Sequence, residues 1–316
     1  MKFDYIIGNP PYQMEDGGAG ASATPVYNKF IDAVKELDPS VLSLIIPAKW
    51  YSGGKGLDQF RQEMLNDSHI RRLADYTNSL DVFPDADIAG GVCIFVRDKS
   101  YEGGGCHYSN THNGITTKCQ RKLDMFDTFI RYPLAESIIE KTTALKDFVS
   151  TQKPFGLRTY VKPSTEGELL LRYNKGVGPF RKEDVTAGFD MIDKWKIIIS
   201  YLSAEHAGQP DKNGQFRILS TTEKLPPKSI CTETYLVAGA FDTEAEADNY
   251  MAYLKTKFVR FLLAQVVVTQ HISKASFVFV PAQDFTKQWT DEELFKKYKL
   301  TSEEIAFINN MIKEMN

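Results

Sequence analysis

Four consecutive residues, Asn9-Pro10-Pro11-Tyr12, bring together groups that can act on a conjugated amine. The asparagine side chain and the carbonyl of the residue after it are two acceptors a short distance apart. Such a pair can hold both hydrogens of an exocyclic amine, as on a nucleobase, whose lone pair is otherwise delocalised into the ring. Held in this way the nitrogen is favoured in the tetrahedral form that attacks a methyl donor, through positioning and preorganised electrostatics. The two prolines fix φ and bring no competing N–H to the turn. The Tyr12 ring offers a face on which an extruded base can stack, worth about 1–3 kcal/mol per base. The same four residues also suit a plain strand-end turn, in which the asparagine caps, the prolines stiffen and the tyrosine packs.

The surrounding pattern supplies elements to position this turn. An apolar run over residues 3–8 predicts a strand ending at Asn9. Apolar spacing over residues 26–37 predicts a helix closed by Asp38-Pro39, and residues 41–47 a buried strand. A helix over 57–65 and strands over 70–76 and 92–96 follow. That alternation predicts an α/β unit with a mainly parallel sheet. Beyond Arg97 the pattern changes to polar, glycine-interrupted sequence over 101–122. Helices are then expected near 133–144 and 243–264, with strands near 195–201, 230–241 and 275–281, which predicts a mixed α+β second domain. Thr301 and Glu304 have the spacing of a capping box at the head of a last helix. The expected division is 1–100, 101–285 and a helical tail over 286–316.

Composition narrows the classes. With 316 residues, 42% of them hydrophobic and 25% charged, the chain is an ordinary globular sequence rather than a disordered or collagenous one. No apolar run approaches the ~18–20 residues of a membrane span, and no signal sequence opens the chain, so a cytoplasmic protein without membrane association is expected. Four cysteines without paired spacing are expected as free thiols. Cys106, His107, His112 and Cys119 lack the tight pairs of a zinc site, so no metal is expected. The net charge of −3 is uneven: residues 1–100 hold 10 Lys/Arg against 14 Asp/Glu, whereas residues 146–182 hold 8 against 3. A locally basic face is what a phosphate backbone responds to.

The ordered motifs resemble the gamma-type, TaqI-like N6-adenine DNA methyltransferases of restriction–modification systems. After the strand ending in Asn9-Pro10-Pro11-Tyr12 come Pro47-Ala48-Lys49-Trp50, then Phe60-Arg61, then Val82-Phe83-Pro84, then Gly90-Gly91-Val92 opening an apolar strand. The resemblance implies a Rossmann-like methyltransferase sheet, of which this chain carries the C-terminal half, followed by a mixed α+β target-recognition domain. It implies Asn9 and Pro10 as acceptors of the target amine, with Pro11 stiffening the turn. Tyr12 would stack on the flipped adenine and Phe83 contact it from another side, since the amine is out of reach inside a duplex. Methyl transfer would be direct, without a covalent enzyme intermediate. Trp50 is expected to pack rather than bind.

Double-stranded DNA is the implied partner. The expected phosphate contacts are Lys153, Arg158, Lys162, Arg172, Lys175, Arg181 and Lys182 in the basic segment, Lys55 in a glycine-rich turn, and Lys274. His271 suits a base contact and a structural hydrogen bond equally. The glycine-rich S-adenosylmethionine motif of the family precedes its Asn-Pro-Pro-Tyr and has no counterpart here. The expectation is therefore a fragment whose cofactor half comes from upstream sequence or a partner chain, inactive alone. A DNA-binding specificity module without catalysis, and a protein-glutamine or RNA methyltransferase, are the alternatives. The recognised DNA sequence and any paired endonuclease are not written in these residues.

Overall fold

Val41–Pro47 reads Val-Leu-Ser-Leu-Ile-Ile-Pro and forms β2, whose Leu42, Leu44 and Ile46 are buried while Val41, Ser43 and Ile45 between them are half-exposed. The alternation places one face of the strand in a core and leaves the other partly open. The computed structural model describes residues 3–14, 24–54, 56–112, 114–142, 149–150, 152–205, 210–267 and 271–315. They fall into two compact units, Met1–Pro133 and Leu134–His206 with Pro210–Asn316.

In the first unit, β1 (Tyr5–Gly8), β2, β3 (Ile70–Tyr76), β4 (Val92–Asp98), β5 (Cys106–His112) and β6 (Ile115–Arg121) form one sheet in the order β1-β2-β4-β3-β5-β6. β1 is parallel to β2 and β3 to β5, but β4 runs antiparallel to both its neighbours and β6 to β5. The mainly parallel sheet expected from the sequence is thus a mixed one. Residues 77–91 contain no crossover α-helix, so β4 re-enters at the end where β3 finished and must run backwards. Ile31 of α1 (Tyr27–Glu36) and Met64 of α2 (Asp58–Asn66) join Leu42, Leu44, Ile46, Trp50 and Phe95 in one core cluster. The sheet also runs past residue 100, where the sequence suggests a boundary. Alternate residues of β5 and β6 pair across a hairpin, and Tyr108 on β5 is buried in the same core.

All of α3 (Pro133–Glu140) except its first residue belongs to the second unit. That unit has two three-stranded sheets. One orders β10 (Thr222–Leu225), β9 (Trp195–Ser200) and β12 (Tyr235–Phe241). The other orders β11 (Ser229–Cys231), β7 (Leu169–Tyr173) and β8 (Gly176–Phe180). The single helix expected over 243–264 is two, α4 (Glu244–Lys255) and α5 (Lys257–Ala264). Thr256 between them adopts an extended ψ of 150° and its hydroxyl caps the new helix by accepting from the Val259 amide. The strand expected near 275–281 begins instead as a 3-10 turn, Lys274–Phe277, because Ser273 and Ser276 bond each other's amides reciprocally. The capping box at Thr301 forms as expected and starts α7 (Ser302–Met311), preceded by α6 (Asp291–Lys297) with a second such box at Thr290. Lys196 is fully buried, yet its ammonium donates to the carbonyls of Met191, Ile192 and Lys194, so the cation is satisfied within the fold.

Candidate functional site

The parallel strands β1, β2 and β3 end on the same edge of the sheet, and the motifs lie there. Gly8 closes β1 opposite Leu44, and Asn9-Pro10-Pro11-Tyr12 follow it as an irregular segment without regular secondary structure. The Tyr12 carbonyl accepts from the Val26 amide at 3.2 Å, and Gln13 bridges Pro25, so the segment is fastened to the entrance of α1. Asn9 is exposed, and its side chain makes no hydrogen bond with any described residue. A capping asparagine would have spent its carbonyl on a nearby amide. Here the Asn9 side chain has no such partner among the described residues.

Tyr12 is half-buried and its ring has no ring contact among the described residues. Its hydroxyl is buried without a hydrogen-bond partner among the described residues, and burial, reinforced by the nearby Cys93 thiol, pushes its pKa up to about 12. The hydroxyl is therefore neutral at physiological pH, and the side chain acts as an uncharged aromatic surface. Below it, Cys93 accepts from the Trp50 indole N–H at 3.4 Å. Trp50 is fully buried against Tyr51, Phe60 and Phe129, the packing role expected of it.

Phe83 belongs to the loop that leaves the end of β3. Asn78 caps the short turn Ser79–Asp81, and Ser79 clamps the loop by donating to the Ala86 carbonyl and accepting from the Ile88 amide. Phe83 itself is half-buried, with no ring partner among the described residues. Gly91 closes the loop at φ 77°, and a Cβ there would collide with the Tyr76 carbonyl oxygen. Only glycine fits that approach. Phe83 and Asn9 thus share the sheet edge, but β1 and β3 lie three strand spacings apart, about 14 Å at the strand axes.

A different arrangement ends β3. Asp75 is buried and takes both Arg131 contacts, Nη2 at 2.5 Å and Nε at 2.9 Å, together with the Tyr108 hydroxyl at 3.0 Å and the Asn110 amide at 2.6 Å. Arg131 also donates to the Gly90 carbonyl at 2.8 Å, tying the strand end to the loop that carries Phe83. The sequence reading missed this pair, since 56 residues separate its members.

Nothing among the described residues at this edge fits an S-adenosylmethionine cradle. The segment after β1 has prolines where a cofactor loop needs close-approaching glycines and free amides. β2 ends in Pro47-Ala48 with no acid, and the one buried strand-end carboxylate, Asp75, is fully engaged.

The basic candidates separate into two groups. Arg172 bonds Glu223 at 2.9 Å and lies over the Tyr235 ring, a packing clamp. Arg181 pairs with Glu183 and Asp184, and Lys153 and Arg158 both lie within 4 Å of Glu233. Lys162, Lys175 and Lys182 are exposed and carry no ion pair among the described residues. Counting charge along 146–182 missed Glu223 and Glu233, which the fold brings in from elsewhere. Lys274 is half-buried at the head of its 3-10 turn, and His271 stacks on Tyr201 at 4.7 Å. Lys55 lies outside the described residues. The first amide of its glycine turn, Gly54, bonds Asp58, so the α2 entrance already holds a carboxylate. Cys106 and His107 point to opposite faces of β5, and no group of three or more metal-ligating side chains occurs among the described residues. No helix of the described residues is long and apolar enough to cross a membrane.

Comparison with known proteins bears on this geometry. Residues 1–83 match the Eco57I restriction-modification methylase family. A curated relative, an uncharacterized adenine-specific methylase of Mycoplasma pneumoniae, is 36% identical over 106 residues, covering 33% of this chain and 25% of the relative. Among solved structures, a type I restriction-modification methyltransferase subunit from Streptococcus thermophilus is 14% identical, with a TM-score of 0.27, over 34% of this chain and 26% of its own. The type IIG restriction endonuclease BpuSI is 11% identical, with a TM-score of 0.35, over 93% of this chain and 50% of its own. The DrdV–DNA complex is 10% identical, with a TM-score of 0.38, over 89% and 43%. The chain spans about a quarter of the curated relative's length. Over residues 1–83 the chain is thus similar to the restriction–modification methylases of the Eco57I type.

Proposed function

We propose that this chain carries the target-amine site and the DNA-recognition region of a site-specific adenine-N6 DNA methyltransferase of a restriction–modification system. The observation that carries the reading is the unspent Asn9 side chain at the end of β1, fastened between a parallel neighbour and the α1 entrance. In this reading Asn9 Oδ1 and the Pro10 carbonyl accept the two hydrogens of a flipped adenine's amine. Tyr12 stacks on the base, and Phe83 closes on it from the β3 side. The loop holding Phe83 is kept in place by Ser79 and by the Asp75–Arg131 pair. The sheet would be the C-terminal part of a Rossmann-like methyltransferase sheet, and the second unit the target-recognition domain.

The donor, S-adenosylmethionine, would be held elsewhere. β1 pairs only with β2 among the described residues, and its Tyr5 and Ile7 are 70% and 79% exposed. An unpaired strand edge with bare apolar side chains is a surface that further chain normally covers. The upstream half of the same enzyme, or a partner chain, would supply that cover together with the donor site. The purified chain is therefore expected to transfer no label from tritiated S-adenosylmethionine to duplex DNA, whereas the reading frame extended upstream labels adenine. Label transfer by the chain alone would overturn the placement of the donor site. An extended enzyme that labels no adenine would overturn the reading as a whole.

A further inference from the structure

The second unit presents one aromatic side chain that its own fold does not use. Tyr160 is 79% exposed, the most exposed large apolar residue described in that unit. It sits at the tip of a β-turn closed by the Val161 amide donating to the Arg158 carbonyl at 3.1 Å. The turn is rigidly based. Phe155 and Leu157 are buried below it, and Gly156, at φ 77°, passes so close to Thr186 that a side chain there would collide. Glu233 accepts from the amide and hydroxyl of Thr159, and its own amide donates to the Leu157 carbonyl. A tip fastened at so many points keeps its aromatic in one place at little entropic cost on binding.

The charges around the tip identify what it faces. Arg158, 55% exposed at its side chain, precedes Tyr160 by two residues, and Lys162, exposed and without an ion pair among the described residues, follows it by two. Arg158 and Lys153 lie 3.7 and 3.9 Å from Glu233, too far for short hydrogen bonds, and Glu233 Oε2 is buried without a hydrogen-bond partner among the described residues. The carboxylate thus draws these cations together without saturating them, and the Arg158 side chain stays 55% exposed. A protruding aromatic between cations matches a partner that offers π-faces between phosphates.

We infer that Tyr160 is a stacking wedge that engages base steps of duplex DNA, with Arg158 and Lys162 holding the phosphates on either side. The inference rests on the DNA-recognition role proposed above and adds to it the residue that deforms the duplex and the mode of contact.

The test is fluorescence anisotropy with the whole chain and a fluorescein-labelled 30-base-pair duplex of mixed sequence, titrated across a series of salt concentrations. A stacking side chain contributes affinity without releasing counterions, whereas each phosphate contact adds about 0.9 to the salt slope. Tyr160→Ala is expected to weaken binding about tenfold at every salt concentration with an unchanged slope, Tyr160→Phe to bind as the wild type does, and Lys162→Ala to lower the slope by about one. The tip is exposed, so thermal unfolding of the variants should match the parent. Wild-type binding with undiminished affinity in Tyr160→Ala overturns the wedge and leaves the recognition role standing. No duplex binding by the wild type at 50 mM salt overturns both.

Discussion

Two strand ends on one edge of the same sheet treat their polar groups in opposite ways. At the end of β3 the Asp75 carboxylate is buried and meets four donors, from Arg131 twice, Tyr108 and Asn110. At the end of β1 the Asn9 side chain is exposed and meets no described residue. A satisfied buried cluster serves the fold, because its members are costly to bury and are fully repaid only by one another. An unsatisfied polar side chain at a stiff segment is available to a ligand. Within one sheet edge, the contrast sets a cluster that serves the fold beside the group to which the proposed function assigns the chemistry.

The largest effect that can break this contrast is at Asp75. Asp75→Ala leaves the Arg131 guanidinium buried without its counter-charge, and should cost about 3–5 kcal/mol. Urea unfolding monitored by circular dichroism measures it. A cost below 1 kcal/mol would mean that the β3 cluster is not what holds the edge. Tyr12 comes next. Tyr12→Ala should weaken binding of an abasic-mismatch duplex, in which the target adenine is already unpaired, by about 1–3 kcal/mol. Tyr12→Phe should leave it unchanged, because the hydroxyl has no partner among the described residues. A Phe variant as weak as the Ala variant would assign the hydroxyl a role that this account denies.

The smallest effect is in the pH dependence of stability. Burial raises the Cys93 thiol from 9.0 to about 12. The unfolded chain releases that proton near pH 9 while the folded chain keeps it, so the contribution is fully present below pH 9 and is lost as pH rises toward 12. Cys93→Ser retains an acceptor for Trp50 without that titration. Its urea midpoint should fall less than the wild-type midpoint between pH 8 and 10, and parallel falls would remove the thiol from the argument.

Local signals made much of this legible in the sequence. The run Val41–Pro47 reads as a buried strand because each of its apolar residues supports that state. Asn9-Pro10-Pro11-Tyr12 could be placed beyond the end of the first strand because two prolines cannot continue it, but the turn expected there is an irregular segment instead. The direction of β4 was not legible, since a strand's sequence does not say which way its neighbours run. The break at Thr256 was hidden inside continuous helical periodicity, and only its hydroxyl cap reveals it. The Asp75–Arg131 pair and the neutralising Glu223 and Glu233 are products of tertiary folding, which pattern along the chain cannot register. Tyr160 did leave a trace, an aromatic between Arg158 and Lys162, but exposure alone distinguishes it from a core tyrosine.

The central claim is that Asn9 holds the amine that is methylated. It is tested most directly by sequencing methylated bases in DNA from cells that express the enzyme, extended upstream, with Asn9 or with Asn9→Ala. The account predicts N6-methyladenine at one recurring DNA sequence with Asn9, and a loss of about 100-fold or more in methylation rate, with unchanged protein stability, with alanine. Undiminished adenine methylation by Asn9→Ala would contradict it.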